Sequence, residues 1–275
     1  MNDEEYQLSI EVAGAGGPAL EGRRAVVTGA GRGIGRAVAL ALARAGADIG
    51  AVSRTSQELE TLGVDIEALG RKYIPVMCDV TNSEEVADMA DAMRWGLEGV
   101  DILVNAAGGA ETHKFVGHPD ELWHRMIALN LTSVYYVTRE IVPALIENGG
   151  GRIVSIASIA ARVGDKYVSA YTAAKHGVLG LTRALATELV EHNITVNAVC
   201  PGFVDTPLTE ASIANIAART GMTEEEARRA LESTSPQNRL FSPDEVAATV
   251  VFLASDLAKG ITGQAINIDG GRVMS

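Results

Sequence analysis

Short apolar segments alternate with helix-like segments along almost the whole chain, and this alternation limits the possible fold more than any other feature. The strand-like segments, which are rich in Val, Ile and Ala, are Arg24–Thr28, Asp48–Ser53, Tyr73–Cys78, Asp101–Asn105, Arg152–Ile156, Thr195–Cys200 and Ala265–Ile268. Strands separated by helices form βαβ units, which build a parallel sheet covered on both faces. The sequence therefore predicts an α/β fold with one doubly wound sheet of about seven parallel strands.

The segments between the strands carry helical patterns. The predicted helices are Gly33–Ala45, Gln57–Leu69, Ser83–Trp95, Asp120–Glu147, Ser169–His192 and Pro243–Ala254. Ser83 is the predicted N-cap of its helix, and Pro143 is expected to bend or divide the long helix. Two shorter helical pieces, Leu208–Arg219 and Thr223–Glu232, lie within residues 205–241. A connection of that length predicts a mobile lid over the substrate.

Composition sets the domain organisation and excludes several partners. Residues 1–20 begin acidic and end rich in Gly and Ala, so we expect a flexible arm followed by one domain over 21–275. A net charge of −12 disfavours nucleic acid. The five His and two Cys lack metal-ligand spacing, which predicts no metal site. No apolar run is long enough to span a membrane, and the acidic N-terminus is unlike a signal peptide. Cys78 and Cys200 each end a predicted strand, and we expect them to be buried, reduced thiols. We therefore expect a cytoplasmic protein.

A glycine-rich segment directly follows the first strand and opens the first helix. Gly29, Gly33 and Gly35 permit a tight turn and let a pyrophosphate approach the backbone, beside Arg32 and Ile34. The helix N-terminus supplies free N–H groups and the positive end of its dipole. The segment thus predicts a nucleotide site. The Lys-Ser/Thr pair of P-loop nucleotidases does not follow, which disfavours that class.

The spacing of these glycines and the motifs after them resemble the short-chain dehydrogenase/reductase family over nearly all of residues 22–271. The motifs stand in the family's order: Thr28-Gly-x-x-x-Gly-x-Gly35, Asp79-Val80, Asn105-Ala106-Ala107-Gly108, Asn130, Ser158, Tyr171-Thr-Ala-Ala-Lys175, Pro201-Gly202 with Thr206, and Asp269-Gly270-Gly271. The resemblance implies a Rossmann-type fold and an NAD(P)-dependent oxidoreductase that interconverts a ketone and a secondary alcohol by hydride transfer. One departure, Ala174 where the family often has Ser, does not touch this chemistry.

Tyr171 and Lys175 are four residues apart on a predicted helix and so share one face. A nearby ammonium should lower the pKa of the phenol, which could then donate a proton to a carbonyl or accept one from an alcohol. The resemblance implies that Ser158 polarises the carbonyl and that Asn130 relays protons through water with Lys175. Alternatives stay open: Ser158 could only cap a turn, Ser155 could take its place, and Asn130 could only satisfy a helix irregularity.

The resemblance also assigns the rest of the cofactor site. Asp79, with Val80, is expected to bind the adenine amine, and Asn105 to support the central strands. The remaining predicted contacts are Ala106, Ala107 and Gly108 near the cofactor, Pro201, Gly202, Val204 and Thr206 on the nicotinamide side, and Tyr171 with Lys175 at the nicotinamide ribose.

The end of the second strand predicts that NADP(H) is preferred, with NAD(H) possible. An NAD site usually places an acid there on the ribose 2′-OH, but this chain has Ser53 followed by Arg54. We expect no carboxylate at this end, since Asp48 starts the strand. Arg54, and Arg32 from the glycine loop, could bind a 2′-phosphate. Alternatively, Arg54 stacks on adenine and Arg32 faces solvent.

The sequence predicts the substrate class and the oligomeric state only in outline. The sequence resembles acyl-thioester and polyketide ketoreductases and hydroxybutyrate dehydrogenases, which favours a 3-oxoacyl or 3-hydroxyacyl substrate over cyclic or other small ketones. An anionic group of the substrate could bind to three loop residues, Arg162, Lys166 and His113. Alternatively, these residues are ordinary solvated charges. The apolar faces of the helices over 120–147 and 169–192 predict a homotetramer. The residues that form these faces are Val134, Val137, Ile141, Val178, Leu181 and Leu185.

Rival functions are a dinucleotide-binding sensor, a sugar-nucleotide epimerase or dehydratase, and a Ser-His hydrolase. A sensor should lack Tyr171 or Lys175, and both are present. The epimerases carry longer C-terminal substrate domains, and the hydrolases carry a G-x-S-x-G elbow that neither Ser155 nor Ser158 has.

Overall fold

The computed structural model describes residues 19–274. The predicted arm therefore lies outside the described residues except for its last two. Of these, Leu20 is 1% exposed and its amide donates to the Ala45 carbonyl over 2.7 Å. The packed domain thus already includes Leu20, one residue before the predicted start.

Seven strands form a single sheet within residues 19–274. They are β1 Arg24–Thr28, β2 Asp48–Ser53, β3 Tyr73–Met77, β4 Ile102–Asn105, β5 Gly151–Ile156, β6 Ile194–Pro201 and β7 Ala265–Ile268. All neighbours are parallel, and their order across the sheet is β3-β2-β1-β4-β5-β6-β7. The doubly wound parallel sheet predicted from the sequence is confirmed.

The described part of the chain contains nine α-helices. They are α1 Gly33–Arg44, α2 Ser56–Ala68, α3 Ser83–Leu97, α4 Asp120–Ile127, α5 Ser133–Glu147, α6 Ser169–Glu188, α7 Pro207–Thr220, α8 Glu224–Glu232 and α9 Pro243–Ala254. None of these helices combines the length and the hydropathy that a bilayer crossing requires.

The two faces of the sheet bury separate apolar layers. Neighbouring residues of β1 point to opposite sides: Val27 packs in the layer of α1, α2 and α9, and Val26 packs in the layer of α3 and α5. Successive strand residues alternate in direction, so a strand buried on both faces must be apolar throughout. Each such side chain contributes about 1.5–3 kcal/mol to folding by leaving water.

The order of the strands reverses direction between β1 and β4. Chain connections lead outward from this point to both edges of the sheet, which opens a crevice beyond the carboxyl ends of these two strands. The loops there pack closely: a Cβ added to Gly29 would lie 2.8 Å from the Cα of Ala107. The segments that follow β1 and β4 therefore meet at the place where parallel sheets bind ligands.

The structure corrects two local predictions, the N-cap of α3 and a division of the long helix at Pro143. The N-cap of α3 is Asn82 and not Ser83, because the Asn82 Oδ1 accepts from the backbone amides of Glu84 and Glu85. Pro143 does not divide its helix, because it lies inside α5, and the bend expected at this residue stays a prediction. The division comes earlier, at a π-helical turn over Ala128–Thr132 that separates α4 from α5.

The apolar residues chosen to predict subunit contacts belong mostly to the interior of the domain. Val134, Val137, Ile141 and Val178 are each at most 6% exposed. They fill the space between α5, α6 and the sheet, so they cannot supply an outer face. Exposed aromatic side chains lie on the same helical layer instead, at Trp123 of α4 and Tyr135 of α5.

Residues 205–241 form a small cap with its own core. Its two ends are joined, because the Phe241 amide donates to Phe203 and the Asp205 amide donates to Phe241. Ile213, Leu231 and Leu240 pack together inside it, between α7 and α8. The two predicted helical pieces are confirmed, while mobility of the cap stays a prediction.

Candidate active site

The glycine loop leads into the open N-terminus of α1. Gly29 has a φ of +65°, and a Cβ on Gly35 would overlap the carbonyl oxygen of Gly29, so both positions require glycine. Arg32 is the N-cap of α1 and its side chain makes no capping hydrogen bond. The first amides of the helix are thus available to an anion, which fits the pyrophosphate of a dinucleotide.

Thr28 joins the glycine loop to the segment after β4. Its Oγ1 accepts hydrogen bonds from the amides of Ala106 and Ala107, at 3.1 and 3.2 Å. Sequence reasoning named Thr28 only as the first residue of the motif and missed this role. Asn105, which is 3% exposed, donates to the Thr138 hydroxyl and leaves its own Oδ1 without a partner among the described residues.

The segment after β6 closes the opposite side of the crevice. A Cβ on Gly33 would lie 3.5 Å from the methyl carbon of Thr206, so Thr206 stands directly above the glycine loop. The Thr206 hydroxyl caps α7 by accepting from the Thr209 amide, and it donates to the Val204 carbonyl. Gly202 packs closely on the Phe241 ring, since a Cβ there would lie 3.1 Å from it and the ring would have to shift.

Ser158, Tyr171 and Lys175 come together at the carboxyl end of β5. The Nζ of Lys175 lies 5.7 Å from the centre of the Tyr171 ring and donates to the Ile156 carbonyl over 2.9 Å. The Ser158 hydroxyl is hydrogen-bonded to Tyr171, and its oxygen also accepts from the Ala160 amide. Ser158 therefore both caps a turn and faces the tyrosine. Ser155 is buried within the strand.

Burial dominates the electrostatics of this group. It raises the pKa of the Tyr171 hydroxyl, while the hydrogen bond from Ser158 acts in the opposite direction. Burial also lowers the pKa of the Lys175 ammonium to about 8. The expected lowering of the Tyr171 pKa by Lys175 is therefore not found in the protein alone, because desolvation of the phenolate outweighs the hydrogen bond from Ser158.

Asn130 lies in the π-helical turn, fully buried next to Lys175. Its Nδ2 donates to the carbonyls of Met126 and Gly109, and its Oδ1 accepts from the Gly109 amide. A Cβ on Gly108 would lie 3.0 Å from the Asn130 Oδ1 and 3.6 Å from the Lys175 Nζ. The side chain thus satisfies the helix irregularity and also fixes the loop after β4 beside the lysine.

An open cleft of about 360 Å³ lies beyond β2 and β3, at the end of the crevice where adenine is predicted to bind. Its lining residues are Arg54, Met77, Cys78, Asp79 and Glu85. The Asp79 Oδ1 accepts from the amide and the hydroxyl of Thr81. Burial opposes ionisation of Asp79, but these hydrogen bonds and the nearby Arg54 together lower its pKa. The site therefore presents an ionised acceptor at the predicted adenine position, next to the buried Val80.

The prediction that no carboxylate reaches the end of β2 was wrong. Ser53 donates from its hydroxyl to the Glu58 Oε2 over 3.3 Å, and the Arg32 Nε is 3.8 Å from the Glu58 Oε1. Glu58 lies in the first turn of α2, which starts three residues after the strand and brings this side chain back over the strand end. That position was the available signal, and sequence reasoning overlooked it.

The loop residues considered for an anionic substrate group are not all available. Arg162 donates to the Ala265 carbonyl and its guanidinium interacts with the Cys200 thiol, so it points away from solvent. Lys166 is exposed. The His113 amide donates to the Tyr167 carbonyl, which ties the loop after β4 to the loop after β5. No cluster of three or more His, Cys, Asp or Glu within residues 19–274 is arranged to hold a metal ion.

Comparisons with known proteins extend over the whole described domain. A family model described as enoyl-(acyl carrier protein) reductase matches residues 29–272. The D-beta-hydroxybutyrate dehydrogenase of Rhizobium meliloti (strain 1021) is 39% identical over 253 residues, which cover 90% of this chain and 98% of that protein.

Solved structures show the same similarity. A variant of actinorhodin polyketide ketoreductase with NADPH is 36% identical with a TM-score of 0.88, over 91% of this chain and 97% of that one. Carveol dehydrogenase from Mycobacterium avium in complex with NAD is 30% identical with a TM-score of 0.89, over 93% and 99%. Matches of this extent, together with the ordered motifs at the carboxyl edge of the sheet, show that the chain belongs to the short-chain dehydrogenase/reductase family.

Proposed function

We propose that the protein interconverts a 3-oxoacyl and a 3-hydroxyacyl compound, with Tyr171 as the proton-transferring residue. Family membership makes it an NAD(P)-dependent oxidoreductase that acts on a ketone and secondary alcohol pair. The observation that carries the catalytic assignment is the hydrogen bond between Tyr171 and Ser158. Tyr171 also lies one helical turn from Lys175, and all three residues are beside the loop that is proposed to bind the cofactor.

Each catalytic side chain has a role that its position supports. A nicotinamide held beside these residues would supply or accept the hydride. Tyr171 donates a proton to the carbonyl oxygen during reduction and takes it back during oxidation. Ser158, hydrogen-bonded to the same hydroxyl, binds that oxygen and stabilises its developing charge. Lys175 holds the nicotinamide ribose and keeps a positive charge near the phenolate.

Asn130 acts in this proposal as a positioning residue. The sequence suggested a proton relay through water with Lys175. The hydrogen bonds of its amide instead go to the backbone of Gly109 and Met126, which supports a role in fixing the loop after β4 and the π-helical turn. A water held at the backbone of this turn would still allow a relay to Lys175.

The proposed cofactor site runs along the carboxyl ends of the strands, from Asp79 to Thr206. Its residues are Gly29, Arg32, Gly33, Ile34, Gly35, Ser53, Arg54, Asp79, Val80, Asn105, Ala106, Ala107, Gly108, Tyr171, Lys175, Pro201, Gly202, Val204 and Thr206. The glycine loop would hold the pyrophosphate, and the cleft with Asp79 would hold the adenine. We propose that NADP(H) is preferred, because Arg32 and Arg54 are both exposed beside the expected 2′ position.

The substrate class rests on the relatives. One is named a D-beta-hydroxybutyrate dehydrogenase and another a polyketide ketoreductase, and a 3-hydroxyacyl and 3-oxoacyl pair fits both names. The carveol dehydrogenase favours a second candidate, a cyclic secondary alcohol. Turnover with a 3-oxoacyl thioester, a 3-hydroxy acid and a cyclic ketone, each with both cofactors, tests the choice. Much faster reduction of the cyclic ketone than of any 3-oxoacyl compound would overturn it.

We also propose a homotetramer located in the cytoplasm. The exposed Trp123 and Tyr135 support subunit contacts through α4 and α5, in place of the buried residues that the sequence suggested. Cys78 and Cys200 are free and buried, which supports a reducing compartment.

A further inference from the structure

We propose that Glu58 limits the preference of this enzyme for NADP(H), because its carboxylate lies in the notch that a 2′-phosphate must enter. The notch is the space bounded by Gly31 and Arg32 of the glycine loop, Ser53 at the end of β2, and Glu58 of α2. The inference rests on the dinucleotide site proposed above and specifies how that site discriminates between its two cofactors.

The carboxylate lies directly over the glycine loop. A Cβ added to Gly31 would overlap the Glu58 Oε2 and would lie 2.9 Å from the Ser53 Oγ. These two oxygens are themselves 3.3 Å apart and hydrogen-bonded. Glu58 thus reaches the loop from the other side of the strand end, and it covers the backbone that the adenosine ribose would approach.

Glu58 contacts the two side chains from which a 2′-phosphate would take its hydrogen bonds. A 2′-phosphate at this position would take its hydrogen bonds from the Ser53 hydroxyl and the Arg32 guanidinium. Both now face the Glu58 carboxylate, which occupies the place of the phosphate as an internal anion. The Arg32 side chain is 70% exposed and the Glu58 side chain 28%, so the carboxylate is the more enclosed partner.

The Glu58 carboxylate should therefore oppose the binding of NADP(H) and support the binding of NAD(H). A 2′-phosphate carries negative charge and would have to displace the carboxylate from Ser53 and Arg32 against electrostatic repulsion. A 2′-hydroxyl is a hydrogen-bond donor, and the carboxylate is an acceptor within reach of the same position. Glu58 consequently favours NAD(H), whereas Arg32 and Arg54 favour NADP(H), and the balance among the three sets the preference.

The decisive variant is Glu58→Gln, which keeps the size of the side chain and removes its charge. We would measure the binding of 2′,5′-ADP and of 5′-AMP by calorimetry, because these fragments report on the 2′ position without turnover. Glu60→Gln is the matched control, since Glu60 is exposed on the same helix and no ion pair or hydrogen bond of its side chain is found within residues 19–274. A Glu58→Ala variant repeats the test with a smaller side chain.

Glu58→Gln should tighten 2′,5′-ADP about five- to fiftyfold, the effect of removing one repulsive charge at a partly exposed site. Binding of 5′-AMP should stay within about twofold, and the ratio of kcat/KM for NADPH to that for NADH should rise in parallel. Glu60→Gln should change neither quantity. An unchanged binding ratio in both Glu58 variants, with both nucleotides still bound, would overturn the inference. Failure of the wild-type protein to bind either nucleotide would contradict the dinucleotide site itself, and the inference with it.

Discussion

Lys175 lies one helical turn from Tyr171, with its Nζ 5.7 Å from the centre of the phenol ring. The ammonium donates to the Ile156 carbonyl and is 4% exposed as a residue, so it is held at a fixed place in a medium of low polarity. A positive charge in such a place is costly to the fold and effective on a neighbouring phenolate. The cost of Lys175 to the fold and the chemistry of Tyr171 can be measured separately.

Replacing Tyr171 by Phe should abolish turnover and leave cofactor binding intact. The ring and its packing remain, and only the hydroxyl that is proposed to exchange a proton with the substrate is lost. Removal of such a group lowers the rate about 10²–10⁴-fold. Steady-state kcat and the fluorescence of bound NAD(P)H measure the two effects separately. A variant that kept more than about a tenth of the wild-type kcat would refute the assignment.

Replacing Lys175 by Met should reveal the cost of the buried ammonium as a pH-dependent difference in stability. The folded-state pKa is about 8 and the ordinary value is 10.5, so the unfolded chain binds more protons between these two values. The destabilisation is therefore complete below about pH 8 and is relieved as the pH rises toward 10.5.

The free energy of unfolding of Lys175→Met, relative to the wild-type protein, should consequently fall by about 2–3 kcal/mol between pH 7 and pH 10. Taking the difference between the two proteins cancels the titration of Tyr and Cys residues that both retain. Denaturant unfolding at a series of pH values measures it. A difference that is constant over this range would show that Lys175 keeps its ordinary pKa.

Residues 205–241 should gain hydrogen-exchange protection when the cofactor binds. The cap is joined to the domain at Phe203 and Phe241, and Arg219 at the end of α7 donates to the Thr112 hydroxyl of the loop after β4 over 3.4 Å. Helices α7 and α8 pack on an apolar core of their own, so this part of the cap can open as a unit, although Arg239 ties the end of the cap to α9. Helix α9, which is largely buried and follows the cap directly, serves as the internal control. Equal protection of the cap with and without cofactor would count against a lid.

The mass in solution should be four times the 28.8 kDa of one chain. Light scattering at micromolar concentration measures it, and a monomeric mass would contradict the tetramer. Tyr135→Asp, which places a charge in the proposed contact of α5, should lower the mass. Trp95→Asp is the control, because Trp95 is 80% exposed on α3, on a helix outside the proposed contact.

The regular elements were predictable because their signals are local. Strands buried on both faces are apolar throughout, and Pro243–Ala254 begins with a proline after the Ser242 cap, so its limits could be predicted from the sequence alone. The motif residues also meet where expected, because parallel strands bring their carboxyl ends to one edge of the sheet.

The features that could not be predicted depend on contacts between distant segments. The π-helical turn at Asn130 is stabilised by a backbone 21 residues away, at Gly109. The burial that reverses the expected shift of the Tyr171 pKa is a property of the assembled site. Glu58 differs from these features, because its signal is local: it lies in the first turn of α2, and that turn also faces the end of β2 where an NAD site usually places its acid.

Arg54→Ala should weaken the use of NADP(H) about ten- to a hundredfold and leave NAD(H) nearly unchanged. Arg54 is exposed at the end of β2, in the cleft with Asp79, where its guanidinium can form a charge-assisted bond with a 2′-phosphate. Such a bond is worth about 1.5–3 kcal/mol. If Arg54 instead stacks on adenine, its loss should weaken both cofactors equally. Arg44→Ala, at the exposed C-terminal end of α1, is the control for the loss of a positive charge. The measurement is kcat/KM with each cofactor on one substrate, and a higher value with NAD(H) in the wild-type enzyme would refute the proposed preference.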